Sequence, residues 1–340
     1  MAPRRGGGGG GGSSSDISCD SDAFSSDASR IDIAFHSLFA LVSLILYTLA
    51  HRRFKRGKRD GFPVKGRHLL VLSILFALFY HIITIVVIAM AECSPSSYSD
   101  SWPATVAGTW LREISMYIII FVLLVTISKK FYTQFGTVQT QPLTIQTAWA
   151  VLVAILLAAG LAIETVAFDA ANNADSYSDY DLLEKLFNPQ RGVWTTYAVV
   201  SVVGVLIAAA TVSGALRGAQ GSLNAKSLTR WTYTLILAAL GSTLTSLGTY
   251  VDRAFSTAGS LSELQDKAHA TLFILSFFYL LAFYAAVQVL AYRGGGLPGA
   301  TQQTAFVQPG PAGHGGLASE PGFRYESGYY HGERGAGNVR

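Results

Sequence analysis

Apolar residues in this chain are gathered into blocks rather than spread at a core rhythm. Seven blocks stand out, at residues 33–50, 69–90, 104–128, 148–168, 193–216, 231–251 and 268–292. Each is about 20 residues long, the length of helix that crosses roughly 30 Å of hydrocarbon. None has Pro in its interior, and all are nearly free of charge. In lipid the backbone must satisfy its own polar groups, so such blocks form helices. A soluble protein would need a polar face on most of them. The stretch SMYIIIFVLLVTI, residues 115–127, has none. The pattern predicts an all-α polytopic membrane protein, a bundle of seven transmembrane helices.

The polar segments divide the chain into three parts. Residues 1–30 are rich in Gly, Ser and Asp. They cannot bury enough apolar surface to fold alone and read as a disordered tail. Residues 31–292 hold the seven blocks, and 293–340 form a second Gly- and Pro-rich tail in which Tyr325, Ser327, Tyr329 and Tyr330 are candidate phosphorylation sites. No apolar run precedes the first block, so no cleavable signal peptide is expected and the first helix serves as its own insertion signal. Between the fourth and fifth blocks, Leu182, Leu183, Leu186 and Phe187 lie on one face of a short helix, suited to the membrane surface or to covering the bundle. Ser260 and Glu263 match a capping box, which would start the last helix early and give it about 30 residues.

Charge sets the expected orientation. The connection after the first block carries Arg52, Arg53, Lys55, Arg56, Lys58 and Arg59, followed by Lys65 and Arg67. With seven crossings, the first, third and fifth connections share a side with the C-terminal tail. That side holds 17 of the 25 Lys and Arg, and the other holds 17 of the 21 Asp and Glu. Basic short loops stay in the cytoplasm. The N-terminus is therefore expected outside and the C-terminus in the cytoplasm, in the plasma membrane or another membrane of the secretory pathway. All five Trp fall near block ends, where amphipathic rings settle at headgroup level.

Half of the residues are hydrophobic and only 14% are charged, fewer than in soluble domains. The lipid bilayer is thus the first expected partner. Nucleic acid is excluded, because a short basic loop between two spans is poorly placed to follow a phosphate backbone. Cys19 and Cys93 both fall on the outer side, where they either form a disulfide or remain free thiols.

Ionisable groups inside a bilayer are costly, so each one present invites a functional reading. His36 is the fourth residue of the first block, His81 the thirteenth of the second, and Glu164 the seventeenth of the fourth. Arg112 and Glu113 lie toward the outer end of the third. These five residues gather in the outer half of the bundle and are the candidate ligand-binding set. One reading is an outward-opening pocket, with His81 and Glu164 at its floor and Arg112 near its mouth. The other is structural, with Glu164 pairing to Arg112 or His81. Small residues four apart, such as Gly204 and Ala208, or Gly241, Thr245 and Thr249, suggest faces where helix backbones approach closely.

No catalytic residues, metal site or cofactor are expected. Neither His36 nor His81 has a second His at helical spacing, and no phosphate loop or nucleophile elbow occurs. Seven spans with an outer N-terminus match the topology of G-protein-coupled receptors. The third block nevertheless ends TISKKFY and the seventh VQVLAYRGG, without the rhodopsin-like motifs. The Glu/Gly-Tyr/Arg pattern of fungal lipid-translocating exporters is missing from the third block. The stretch DIAFHSLFALVSLILYTLAHRRFKRG resembles the uncharacterised seven-span integral membrane proteins of filamentous fungi. That resemblance implies a membrane location and lends no activity.

The expected function is a receptor-like membrane protein, not an enzyme, that binds a small ligand from the outer side. Its basic loop and tail would contact a cytoplasmic signalling partner. A transporter or lipid-handling protein is the alternative, and a membrane scaffold without a ligand a further one. No Gly/Pro-broken helix pair of the kind carriers show is evident.

Overall fold

The computed structural model describes residues 19, 24, 26–59, 66–93, 101–135, 140–172, 177–218, 225–255 and 261–292. The tail from residue 293, with its phosphorylation candidates, lies outside the described residues, as does most of the N-terminal tail. Side chains at Lys58, Arg59, Leu182, Leu183, Leu186, Phe187 and Glu263 are likewise outside what is described.

The described chain is helical throughout. The helices are α1 (Asp27–Arg59), α2 (Arg67–Cys93), α3 (Trp102–Phe121), α4 (Ser128–Phe135), α5 (Thr140–Asn172), α6 (Tyr177–Gly218), α7 (Ala225–Phe255) and α8 (Leu261–Ala291). A π-helical stretch, Val122–Ile127, joins α3 to α4. The third span is thus one rod built from three pieces. Seven helices are long and apolar enough to cross a membrane. Their outer faces carry large apolar side chains: Leu237 is 66% exposed and Ile155 61%. Water would penalise such a surface, whereas hydrocarbon matches it. The chain is a multi-pass membrane protein.

The helices outrun the apolar blocks at both ends. α1 begins at Asp27, inside the expected tail, with an acidic first turn that suits the positive end of the helix dipole. The expected short helix between the fourth and fifth blocks is not separate. It forms the first turns of α6, which runs for 42 residues. Pro189 lies inside that helix and leaves the Lys185 carbonyl without its usual i+4 donor. α8 starts at Leu261, one residue past the Ser of the capping box, and has 31 residues.

Neighbours in sequence pack as neighbours in space, and contact between α1 and α8 closes the ring. The third span is the most buried of the seven. Val122, Leu123, Leu124 and Ile127 in its π-helical stretch have no exposed surface at all. In a π-helical turn the backbone bonds run i→i+5 in place of i→i+4. Here the Ser128 hydroxyl donates to the Leu123 carbonyl, five residues back, at 3.2 Å. Gly66, at φ +84°, turns the chain into α2 against this stretch. A Cβ at Gly66 would stand 2.6 Å from Thr126 Cγ2, so the position excludes a side chain both by conformation and by space.

Three glycines on the spans seat aromatic rings. Gly204 seats the Trp149 indole, whose Nε1–H donates to the Val200 carbonyl at 2.9 Å. Gly241 seats Phe278, and Gly160 seats Trp194. Two of the five Trp therefore turn into the bundle instead of to the headgroups. Trp194 is 4% exposed and stacks on Tyr250 with centroids 5.4 Å apart.

The two ends of the bundle differ. At one end lie the start of α1, the end of α2 and the start of α3. There Cys19 and Cys93 form a disulfide. Glu92 accepts hydrogen bonds from the Phe24 N–H at 3.0 Å and from the Ser29 hydroxyl, and Arg30 Nε donates to the Phe24 carbonyl. At the other end the exposed Arg52, Arg53, Lys55 and Arg56 extend from α1, anchored by the buried Phe54. There also Lys130 Nζ donates to the carbonyls of Val289, Leu290 and Tyr292 at 2.8, 2.9 and 3.0 Å. These carbonyls lie at the α8 C-terminus, where a cation is also favoured by the helix dipole.

Candidate functional site

Between α2, α3, α7 and α8 lies a partly open cavity of about 30 Å³. That is room for about two water-sized groups. α2 contributes Tyr80 and His81, and α3 contributes Arg112, Glu113 and Ser115. α7 contributes Ser246, and α8 contributes Ser276 and Tyr279. Apolar wall is supplied by Ala77, Met116, Leu272 and Leu275. The lining is part polar and part apolar.

Its charged element is an ion pair between chain neighbours. Consecutive residues on a helix do not face each other. Arg112 therefore bends back, and both Nε and Nη2 donate to a single oxygen, Glu113 Oε1, at 3.0 and 2.7 Å. The Arg112 side chain is 32% exposed and that of Glu113 10%. The guanidinium carbon lies 5.8 Å from the centre of the Tyr80 ring, a cation–π contact. Tyr197 and Tyr250 stand close enough to feel the charges of both Arg112 and Glu113.

Two hydrogen-bonded pairs flank the cavity. His36 and His81 meet through their Nδ1 atoms at 3.0 Å, with 2% and 3% exposure. One Nδ1 must carry a hydrogen and the other must accept it, so the two imidazoles differ in tautomer. Phe39 stacks on His81, and Tyr80 stands edge-on to His36. On the far side the Ser73 hydroxyl donates to the Ser115 carbonyl at 2.9 Å and lies 2.7 Å from the Tyr279 hydroxyl. With the single Ser73 hydrogen used, Tyr279 is the donor in that second contact. Toward the Cys93 end, His269 Nδ1 bonds Asp32 Oδ1 at 2.6 Å and ties α8 to α1.

Of the five candidate ligand-binding residues, the structure brings His81, Arg112 and Glu113 to one cavity. His36 stands behind His81 and reaches the cavity only through it. Glu164 is half-buried on α5, close enough to act electrostatically on Tyr250, and does not line the cavity. Of the floor expected from His81 and Glu164, only His81 is among the lining residues. Among the described residues no three His, Cys, Asp or Glu gather closely enough to hold a metal ion.

Sequence reasoning passed over Tyr80, Ser276 and Tyr279, since hydroxyl side chains within an apolar run carry no charge to flag them. The i, i+3 spacing of Ser276 and Tyr279 is the signal that puts both on one face of α8. Lys130 counted only toward orientation, and nothing local in the sequence marks it as a cap for a helix about 160 residues away. No protein-family model, no curated protein and no solved structure matches this chain.

Proposed function

We propose that this chain is a receptor-like membrane protein that takes a small ligand from the outer side into the cavity between α2, α3, α7 and α8. The observation that carries this reading is the convergence of His81, Arg112, Glu113 and Tyr279 from three helices on one partly open polar chamber. A purely structural ion pair needs no adjoining space. The basic end belongs in the cytoplasm by the positive-inside rule, so the Cys19–Cys93 end faces out, toward the exterior of the plasma membrane or another secretory-pathway membrane. The disulfide suits an oxidising compartment. The continuous spans favour a receptor over a carrier, since carriers bind their substrates at broken helices. In this reading the Arg52–Arg56 region and the C-terminal tail meet a cytoplasmic signalling partner. The resemblance of the first span to fungal seven-span proteins agrees with the membrane setting and adds no activity. No catalytic step is assigned.

The test is thermal stability of the purified protein against a panel of metabolites and lipids. A ligand confined to the folded state stabilises by about 2.7 kcal/mol at 100 times its dissociation constant. The reading expects a compound that raises the melting temperature of wild type but not of His81→Ala or of Ser276→Leu, which fills the cavity. Uniformly less stable variants with no compound shifting any form would make the cluster a structural one.

A further inference from the structure

We infer that the ligand of this cavity is a small carboxylic acid, bound together with its proton. The inference rests on the receptor-like reading and deepens it. Arg112 commits Nε and Nη2 to Glu113 Oε1. Arg112 Nη1 and Glu113 Oε2 have no hydrogen-bond partner among the described residues, and neither is a sealed, unpaired atom. Both residues line the cavity, so it is bordered by a cation and an anion that each retain hydrogen-bonding capacity. A carboxyl group is complementary to that pair. Its carbonyl oxygen accepts from Arg112 Nη1, and its O–H donates to Glu113 Oε2. Charge-assisted bonds of these two types are about twice as strong as neutral ones.

Size and charge point the same way. Room for about two water-sized groups suits an acid no larger than about formic or acetic acid. Ala77, Leu272 and Leu275 form the apolar part of that lining. A bare carboxylate would add a second negative charge next to Glu113 and leave the site one charge out of balance. The acid form brings its own proton, which comes to lie between the ligand oxygen and Glu113 Oε2, and the ion pair stays neutral overall. No bond is made or broken except hydrogen bonds. The other ionisable groups around the site are Tyr80 and His81 from α2 and Tyr279 from α8, with Tyr197 of α6 and Tyr250 of α7 close enough to interact with the Arg112–Glu113 charges.

The experiment measures the melting temperature of the purified full chain with sodium formate, sodium acetate, acetamide and sodium chloride, between about pH 5.5 and 7.5. The variants are Glu113→Gln, which removes the proton acceptor, and Ser276→Leu, which fills the cavity without touching a charge. Formate or acetate should stabilise wild type saturably, with apparent affinity rising about tenfold per unit fall in pH, the signature of one proton taken up. Glu113→Gln should bind the anion with no pH dependence, because its site no longer needs the proton. Ser276→Leu should fold and show no shift. Equal stabilisation by acetamide at every pH would overturn the acid assignment, and so would an acetate shift that Ser276→Leu shares. If acetate fails while another panel compound stabilises wild type but not Ser276→Leu, the acid is wrong and the cavity remains the ligand site. If no compound acts on wild type, both readings fall.

Discussion

Lys130 holds the carbonyl of Val289 at 2.8 Å, and through the same ammonium group those of Leu290 and Tyr292. The end of the central span thereby closes the end of the last one. Lys130→Met keeps the stem and removes all three bonds. It should cost about 1–3 kcal/mol, with Lys130→Arg recovering part of the loss. Thermal unfolding of the three forms in one detergent checks this, and an unchanged Lys130→Met would show that the cap adds nothing.

The glycines make a signed prediction. A Cβ at Gly241 would meet the Phe278 ring at 2.7 Å, whereas nothing lies within 4 Å of one at Gly214 or Gly248. Gly241→Ala should therefore destabilise by about 1–3 kcal/mol through overpacking. Gly214→Ala and Gly248→Ala should be neutral or stabilising by up to about 1 kcal/mol, as expected for Gly replaced by Ala in a helix. Melting temperatures of the three variants should separate in that order.

The histidine pair predicts a non-additive cycle. Removing His36 leaves the His81 Nδ1 buried without a partner, and the reverse holds for His81. Each single Leu substitution should cost about 1–3 kcal/mol for the unpaired group. The double variant should cost less than the sum of the two. A cycle whose single effects simply add would mean the two imidazoles are not coupled.

The disulfide closes a loop across a sequence separation of 74 residues. By chain entropy, such a link stabilises by about 4 kcal/mol. Non-reducing peptide mapping should recover the Cys19 and Cys93 peptides joined, and reduction should lower the melting temperature. Two separate, alkylatable thiols in the native protein would contradict the pairing.

The seven spans were legible because lipid permits only helices there, and helices of this length need long apolar blocks. Their ends were not. Asp27 and Tyr177 start helices in polar sequence where no hydrophobic signal marks a boundary, and only the capping pattern before Leu261 announced one. His81, Arg112 and Glu113 were legible as charges misplaced in lipid, and the structure puts them on one cavity. Glu164 carries the same signal yet sits on α5, away from that cavity, because depth along a helix says nothing about which face a residue occupies in the bundle. Trp149 and Trp194 show the same limit. Their positions near span ends fit an interfacial belt, but the room left by Gly204 and Gly160 draws both rings inward.

The most direct test of the account is side-specific labelling of the cavity wall. Leu272 lines the cavity one turn nearer the start of α8 than Ser276. In Leu272→Cys, with the native disulfide intact, a membrane-impermeant thiol reagent added from outside should modify the new cysteine, and a cavity ligand should slow that reaction. Modification only from the cytoplasmic side, or none from either side in a folded protein, would contradict an outward-opening ligand site.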